Sequence, residues 1–411
     1  MVRKPRRTVG DELRAGRSLG EAFEDRLGHL AVGPFKEDAF PSRLHDERVA
    51  AVLGLALGIT FFTCFFTGLI SHFAQQPLSI GFLSMPVGPG WMYRVTQGVH
   101  VTSGIASIPL LMVKLWAVFP KLFSWPPVEN KAQIVERVSI FALVGGSLFQ
   151  LLSGLSNTAR WYPWQFNFTV THYWTAWIVI GALIAHIAAK IHISRRALLS
   201  TEARSAPEPE GTGLSRRGLF AATGAAVGVV TLTTVGQTVR PLKELALLAP
   251  RLPDVGPQGI PVNKSAVGAR VSELIKDPGY TLKIDGNVRR EMTLTPDELR
   301  AMPQHERRLT ITCVEGWSAN ARWRGVLIRD LLDLAGAPPD AEVIVHSVQP
   351  RGSYRSSELN VPHARHEDTL LALELNGGIL HPDHGFPMRL ISPNRPGVQQ
   401  TKWVNRLEVL A

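Results

Sequence analysis

Between Val49 and Val239 the chain repeats one pattern five times: a long apolar run almost free of charge, then a short polar stretch. The runs are Val49–Phe73, Gln97–Phe119 with Pro109 inside, Val138–Ser156, Val170–Ile193 and Gly218–Val239. A helix crossing the hydrocarbon of a bilayer needs about 20 such residues. Buried helices of a soluble protein are the competing reading, but soluble chains rarely carry four or five such runs together. Beyond Val239 the period changes. Tyr280–Ile284, Leu309–Val314, Val343–Val348 and Val404–Leu410 alternate as strands do. Thr295-Pro296-Asp297-Glu298 is a capping box with proline at the first helical position. Leu327 to Ala335 is apolar at helical spacing and stops at Gly336, ahead of Pro338-Pro339. The pattern predicts an all-α helical bundle of four transmembrane helices plus a fifth anchor helix, followed by an α+β domain. The expected divisions are a polar N-terminal segment 1–44, expected to be disordered, a four-helix region 45–195, a basic loop 196–217, a fifth helix 218–239 and an outer domain 240–411.

Charge sharpens this picture. The chain has 44 basic and 34 acidic residues, net +10. A basic excess can mark a nucleic-acid binder, but here much of it flanks the apolar runs, so nucleic acid is not an expected partner. Arg3, Lys4, Arg6 and Arg7 precede the first run; Lys121 and Lys131 follow the second; Lys190, Arg195, Arg196, Arg204, Arg216 and Arg217 follow the fourth. The intervening loops carry only Arg94 and Arg160. By the positive-inside rule the N-terminus is cytoplasmic and the fifth run carries the C-terminal domain outside the cytoplasmic membrane. Ser215-Arg216-Arg217-Gly218-Leu219-Phe220 resembles a twin-arginine export signal, with no small-residue cleavage site after it. The plainer reading is a pair of arginines anchoring a helix at the inner face. Two cysteines, Cys64 in an apolar run and Cys313 at a strand end, exclude a disulfide framework.

His172 and His186 lie 14 residues apart on the fourth run, about 21 Å along a helix and nearly on one face. Ionisable side chains at membrane depth are costly and usually functional. Paired imidazoles are a standard way to hold b-type haem iron. His172 would pair with His100 on the outer side, and His186 with His45 on the inner side; His72 and His192 are the alternates. The layout resembles the dihaem cytochrome b subunits of formate dehydrogenases and hydrogenases. That resemblance implies one or two b haems in residues 45–195 and a quinone, quinol or other electron carrier as partner.

The outer domain carries a denser pattern. Cys313 stands in Thr312-Cys313-Val314-Glu315-Gly316-Trp317-Ser318, followed by Trp323-Arg324-Gly325-Val326, then His384-Gly385-Phe386-Pro387-Met388-Arg389-Leu390 and Thr401-Lys402-Trp403. A lone cysteine on the exposed side of a strand end can be a nucleophile, a redox thiol or a metal ligand. Together these motifs resemble the sulfite-oxidase superfamily of molybdopterin enzymes over about Gly259–Ala411. The resemblance implies a mixed-sheet fold, a molybdenum-molybdopterin cofactor, Cys313 as molybdenum ligand, and Asn263, His384, Arg389 and Lys402 as pterin and phosphate contacts. Soft sulfur suits a redox metal, and Arg and Lys suit phosphate. Taken alone, Arg389 could be an ordinary strand arginine, Lys402 a surface residue, and His381 with His384 a loop metal pair. Tyr354 falls where sulfite oxidases carry an active-site tyrosine. Those enzymes follow the cysteine with small residues and an arginine; Val314-Glu315-Gly316-Trp317 is more similar to periplasmic methionine-sulfoxide reductases. The expectation is therefore a membrane-bound oxidoreductase that reduces an S- or N-oxide with electrons from the quinone pool. The alternatives are a sulfite-type dehydrogenase and an electron-transfer cytochrome with a docking domain.

Overall fold

The computed structural model describes residues 40, 42, 44–76, 85–123, 131–199 and 213–411. The expectation of a disordered segment at 1–39 and most of the basic loop after Leu199 lie outside the described residues. Five long helices account for the apolar runs: α1 Glu47–Gln75, α2 Met92–Val118, α3 Lys131–Ala159, α4 Phe168–Leu199 and α5 Arg216–Val235. Among the described residues these are the helices long and apolar enough to cross a membrane, by length and composition. The helices start earlier or end later than the apolar runs, because polar first turns such as Lys131–Arg137 continue the helix beyond its apolar part. At the other extreme α5 stops at Val235, four residues short of the expected end.

The chain forms two compact units. The first takes in residues up to Phe65, Ser103–Ser156 and Tyr162–Thr231; the second takes in Phe66–Thr102, Asn157–Trp161 and Leu232–Ala411. In the first, Leu44, Val49, Leu53 and Leu57 pack against Leu110, Leu111, Ala117 and Leu219. Arg216, at the start of α5, lies 3.5 Å from Asp46 just before α1.

The second unit holds two sheets. One runs β2 Met292–Leu294, β1 Leu282–Gly286, β10 Val404–Val409, β5 Val343–Ser347, β6 Ser356–Leu359; the β1–β10 pair is parallel and the rest antiparallel. The other runs β3 His305–Thr312, β4 Ser318–Leu327, β7 Leu370–Leu375, β8 Gly378–Ile379, with β9 Arg389–Ile391 also on β7. Short helices α6 Ala266–Ala269, α7 Pro296–Ala301, α8 Ile328–Ala335 and α9 Val361–Ala364 connect them. The expected capping box closes α7, with Thr295 Oγ1 accepting from Glu298 N. Gly336, left-handed at φ 73°, ends α8. Its buried residues Ile328, Leu331, Leu332 and Ala335 join Leu282, Ile284, Val343, Val345 and Leu407 in one core. A second core gathers Ile311, Trp317, Trp323, Leu370 and Ile391 around Cys313.

Candidate active site

Cys313 lies in the turn that joins β3 to β4. Its N–H donates to Trp317 O at 2.9 Å, and Gly316 N donates to Cys313 O at 3.0 Å. Gly316 has φ 96°, and a Cβ there would stand 2.9 Å from Val101 and 3.0 Å from Gln237 Nε2. Both the backbone and the neighbours therefore require glycine. The sequence suggested an exposed side for Cys313; instead the residue is 1% exposed, because the turn folds back under Trp317 and Pro396–Gly397. Burial pushes its thiol up, Glu315 pushes it further, and the charges of Lys402 and Arg160 oppose this. The bare protein thus holds a neutral thiol. A bound metal cation would supply the charge that makes the thiolate stable.

The four expected pterin residues are linked to one another by direct contacts. Lys402 Nζ donates to Asn263 Oδ1 at 3.0 Å, Lys264 O at 2.9 Å and Asp383 O at 2.7 Å, using all three of its protons. Arg389 NH1 donates to His384 O at 3.0 Å and NH2 to Gln400 O at 3.1 Å. Its guanidinium lies 5.1 Å over the Trp323 ring. Arg389 and Lys402 are bridge partners across the chain, and Gly385 at φ 109° fits between them, where a Cβ would come within 3.1 Å of both side chains. His384 Nε2 meets Pro257 O at 2.7 Å. Both histidines of the loop pair have protein partners, His384 Nε2 at Pro257 O and His381 Nδ1 accepting from Asp383 N at 3.1 Å, and no group of three or more metal-binding side chains occurs among the described residues.

The electrostatics point to a missing anion. Burial lowers the Arg389 guanidinium to about 9 and, with the Arg389 charge, holds the Lys402 ammonium well below its ordinary value. Burial and Arg389 lower His384 to about 4. Neither Arg389 nor Lys402 makes an ion pair among the described residues, and Asp383 spends a carboxylate oxygen on Ala266 N at 2.7 Å. Arg389 Nε is buried with no partner. Buried charges without partners are expensive, and unpaired buried donors are rare. A phosphate-bearing pterin with a metal-bound sulfur fits this donor set.

Residues at the helix ends grip the cysteine turn. Gln97 Nε2 and Asn157 Nδ2 both donate to Val314 O, at 3.0 and 3.1 Å. Arg160 Nε pairs with Glu315 at 3.3 Å, and Trp317 Nε1 donates to the same carboxylate at 2.9 Å. Thr238 Oγ1 donates to Gly316 O, and Gln237 O accepts from Ser318 N at 3.1 Å. Glu315 is a buried structural partner, its carboxyl raised by burial. Tyr354 donates its hydroxyl proton to Gln75 Oε1 at 3.1 Å. Sequence reasoning missed Gln75, Tyr93, Gln97, Asn157 and Gln237. The available signal was their amide and hydroxyl chemistry at the edges of apolar runs, where polar residues are also ordinary; Arg160 was read only as a loop charge.

The expected haem ligands occupy separate places. His45 lies just before α1, its Nδ1 3.1 Å from Ala117 O and its ring 4.8 Å from that of Trp116. His172 Nδ1 meets Ser153 Oγ at 3.0 Å, and Gly154 adjoins its ring. His100 Nδ1 is 3.5 Å from Thr67 Oγ1, with Gly68 against its ring. A partner on Nδ1 is the arrangement that orients an imidazole for coordination through Nε2. His186 differs: its Nδ1 is buried without a partner. Three of the four imidazoles thus have a neighbour on Nδ1.

Residues 269–411 match the family model "Oxidoreductase molybdopterin binding domain". A candidate protein-methionine-sulfoxide reductase subunit, YedZ1 of Azospira oryzae, is 35% identical over 32% of this chain and 48% of its own. Sulfite oxidase of Gallus gallus is 32% identical over 33% of this chain and 36% of its own. The uncharacterised oxidoreductase YuiH of Bacillus subtilis is 31% identical over 31% of this chain and 64% of its own. The chain thus spans less than two thirds of each of these relatives. With the buried cysteine and its cationic surround, the match identifies the C-terminal part of the chain as a sulfite-oxidase-type molybdopterin-binding domain, that of an oxidoreductase.

Proposed function

We propose that the protein is a membrane-bound molybdenum oxidoreductase that draws electrons from the quinone pool through b-type haem and reduces an S- or N-oxide outside the cytoplasmic membrane. The observation that carries the reading is the buried Cys313 within reach of the Lys402 charge, with Arg389 bridged to Lys402 and neither cation in an ion pair among the described residues. Five apolar helices and the alternation of basic loops support insertion with the N-terminus inside. Arg216 and Arg217 open α5 and suit a twin-arginine signal that remains as an anchor, the route a folded, cofactor-loaded domain requires.

Cys313 would ligate molybdenum, and Asn263, His384, Arg389 and Lys402 would hold the pterin and its phosphate. When bound, the cofactor supplies two-electron oxygen-atom transfer. The chain's own residues do the rest. The Gln97 and Asn157 amides fix the Val314 carbonyl and so aim the cysteine. Glu315, paired with Arg160 at 3.3 Å, adds no net charge beside Cys313, which suits a neutral oxide. His172, His100, His186 and His45 would hold haem iron. The relative named for methionine-sulfoxide reduction points the same way.

The test is Cys313→Ser in the purified, detergent-solubilised protein. Turnover of dimethyl sulfoxide with reduced benzyl viologen is expected to fall more than a thousandfold while haem absorbance stays intact. Unchanged turnover sinks the ligand assignment. Sulfite oxidation by the wild type without sulfoxide reduction reverses the direction of the reaction.

A further inference from the structure

The C-terminal turn of α1 and the first turn of α2 carry a hydrogen-bonded chain that reaches Tyr354. Ser71 and Gln75 are four residues apart and so share one face of α1. Gln75 Nε2 donates to Ser71 Oγ and Ser71 O, both at 3.1 Å. Ser71 Oγ lies 3.1 Å from the Tyr93 hydroxyl. At the other end Gln75 Oε1 accepts the Tyr354 proton at 3.1 Å, and Gln75 O accepts from Gln399 Nε2 at 2.5 Å. Gln399 Oε1 in turn accepts from Arg395 NH2 at 3.1 Å. Ser71 is 6% exposed and Tyr93 1%, so these bonds lie where an unmade one is costly. Tyr93 is held from behind, its N–H donating to Asn394 Oδ1 at 2.7 Å. Gln97, four residues on and so on the same face of α2, donates to Val314 O at 3.0 Å, which brings this turn of the helix to the residue after Cys313.

An amide gives this chain a direction. Its nitrogen only donates and its oxygen only accepts. Tyr354 has one proton and spends it on Gln75. Ser71 receives a proton from Gln75 and has its own to give to Tyr93. The oxygen of an S- or N-oxide is an acceptor only, so it needs a donor that is still uncommitted.

We propose that Gln75 and Ser71 are positioning residues that turn Tyr93, rather than Tyr354, into the hydroxyl that donates to the substrate oxygen beside Cys313. The inference rests on the oxide-reductase reading. In that reaction a sulfoxide takes up two electrons from the quinol and two protons, its S–O bond breaks, and the sulfide and one water leave. Tyr93 would hydrogen-bond the oxygen as it gains its first proton, and Tyr354 would accept a hydrogen bond from the water that departs.

The test compares wild type, Gln75→Glu, Gln75→Leu, Ser71→Ala and Tyr93→Phe, each checked for molybdenum content and assayed with dimethyl sulfoxide and trimethylamine N-oxide. Above its own pKa the introduced carboxyl only accepts, so Ser71 must donate to it and Tyr93 must donate to Ser71. Gln75→Glu is then expected to lose at least tenfold in kcat/KM at pH 8. It should recover as pH falls and the carboxyl becomes a donor again. The charged and titratable groups around it are Tyr354, Tyr93 and, through Gln399, Arg395. Gln75→Leu and Ser71→Ala should lose activity without that recovery. In Tyr93→Phe the molybdenum EPR spectrum should lose a solvent-exchangeable proton splitting. A Gln75→Glu pH profile that parallels the wild type, or a Tyr93→Phe spectrum that matches it, overturns the proposal. If Gln75→Glu does not fold, Ser71→Ala with wild-type kcat/KM does so. A wild type that holds molybdenum but reduces neither oxide overturns the functional reading instead.

Discussion

Two strand arginines in the same unit show opposite designs. Arg406 on β10 binds Asp285 through Nε at 2.8 and 3.0 Å and reaches Glu408 at 3.2 Å. Lys283, beside it in the β1–β10 register, meets Asp285 at 2.8 Å, and His346 meets Glu408 at 2.8 Å. Every charge there has a partner, on a partly exposed face of the three inner strands where such pairs contribute little individually. Arg389 on β9 is 1% exposed, binds only carbonyls and leaves Nε unpaired. A structural cation comes with its anion; a binding cation waits for one. The comparison separates the two uses of one residue type, which sequence position could not.

The largest effect expected from this contrast is on cofactor retention. Arg389→Met and Lys402→Met each remove a buried cation that makes no ion pair among the described residues. The domain should keep its fold, since the relieved desolvation of a buried charge offsets the cost of the acceptors left without a donor. Molybdenum per protein, measured by elemental analysis, should fall at least tenfold. Full molybdenum in either variant would make that residue an ordinary strand cation after all.

Acid exposes the same cluster through His384. Its pKa is lowered from 6.5 to about 4, by burial first and then by Arg389. The unfolded chain therefore takes up the proton first as pH falls. Stability is intact above 6.5 and is lost progressively between 6.5 and 4. Between pH 7 and pH 5 this amounts to about 2 kcal/mol by linkage. His363, lowered by burial to about 3, adds a loss of the same sign over a window reaching lower. Denaturant melts of the cofactor-free domain at the two pH values should show this drop, and His384→Gln should reduce it. A bound anionic cofactor would raise the His384 pKa again, so the loaded protein should be less acid-sensitive. An equal drop in both forms would separate His384 from the anion site.

How much of this was legible in the sequence follows from what each feature depends on. The five long helices were legible because their signal is local: twenty apolar residues identify a helix wherever it packs. The capping box at Thr295 and the stop at Gly336 were legible for the same reason. Four of the ten strands show an alternating period in the sequence; of the others, some, such as Gly378–Ile379, are too short to carry one, β7 is buried on nearly every position, and β4 buries small alanines at 319 and 321 that mark the period weakly. The cluster of Cys313, His384, Arg389 and Lys402 was foreseen from motif order. Its burial was not, since Cys313 is covered by Trp317 from its own turn and Gly397 from eighty residues on. The chain through Gln75, Ser71 and Tyr93 was invisible because it joins residues 279 apart, Gln75 and Tyr354, through hydrogen bonds that leave no periodic trace.

The smallest expected effect lies at the paired charges of β1 and β10 and completes the contrast. Arg406→Met removes one of two cations from Asp285, which is 4% exposed and keeps only Lys283. Two charge-assisted bonds to that carboxylate are lost, while solvent reaches the outer side of the guanidinium. The cost to unfolding stability should be about 1–2 kcal/mol. Because the Asp285 carboxyl is held below its ordinary value partly by Arg406, the variant should also lose less stability as pH drops below 4. Molybdenum content should not change, since these charges belong to one sheet and the cysteine turn joins two strands of the other. A variant that instead kept its stability and lost its metal would show that these paired charges, satisfied as they are, still act on the anion site. The distinction between paired and waiting cations would then fail as a guide to where this domain binds its cofactor.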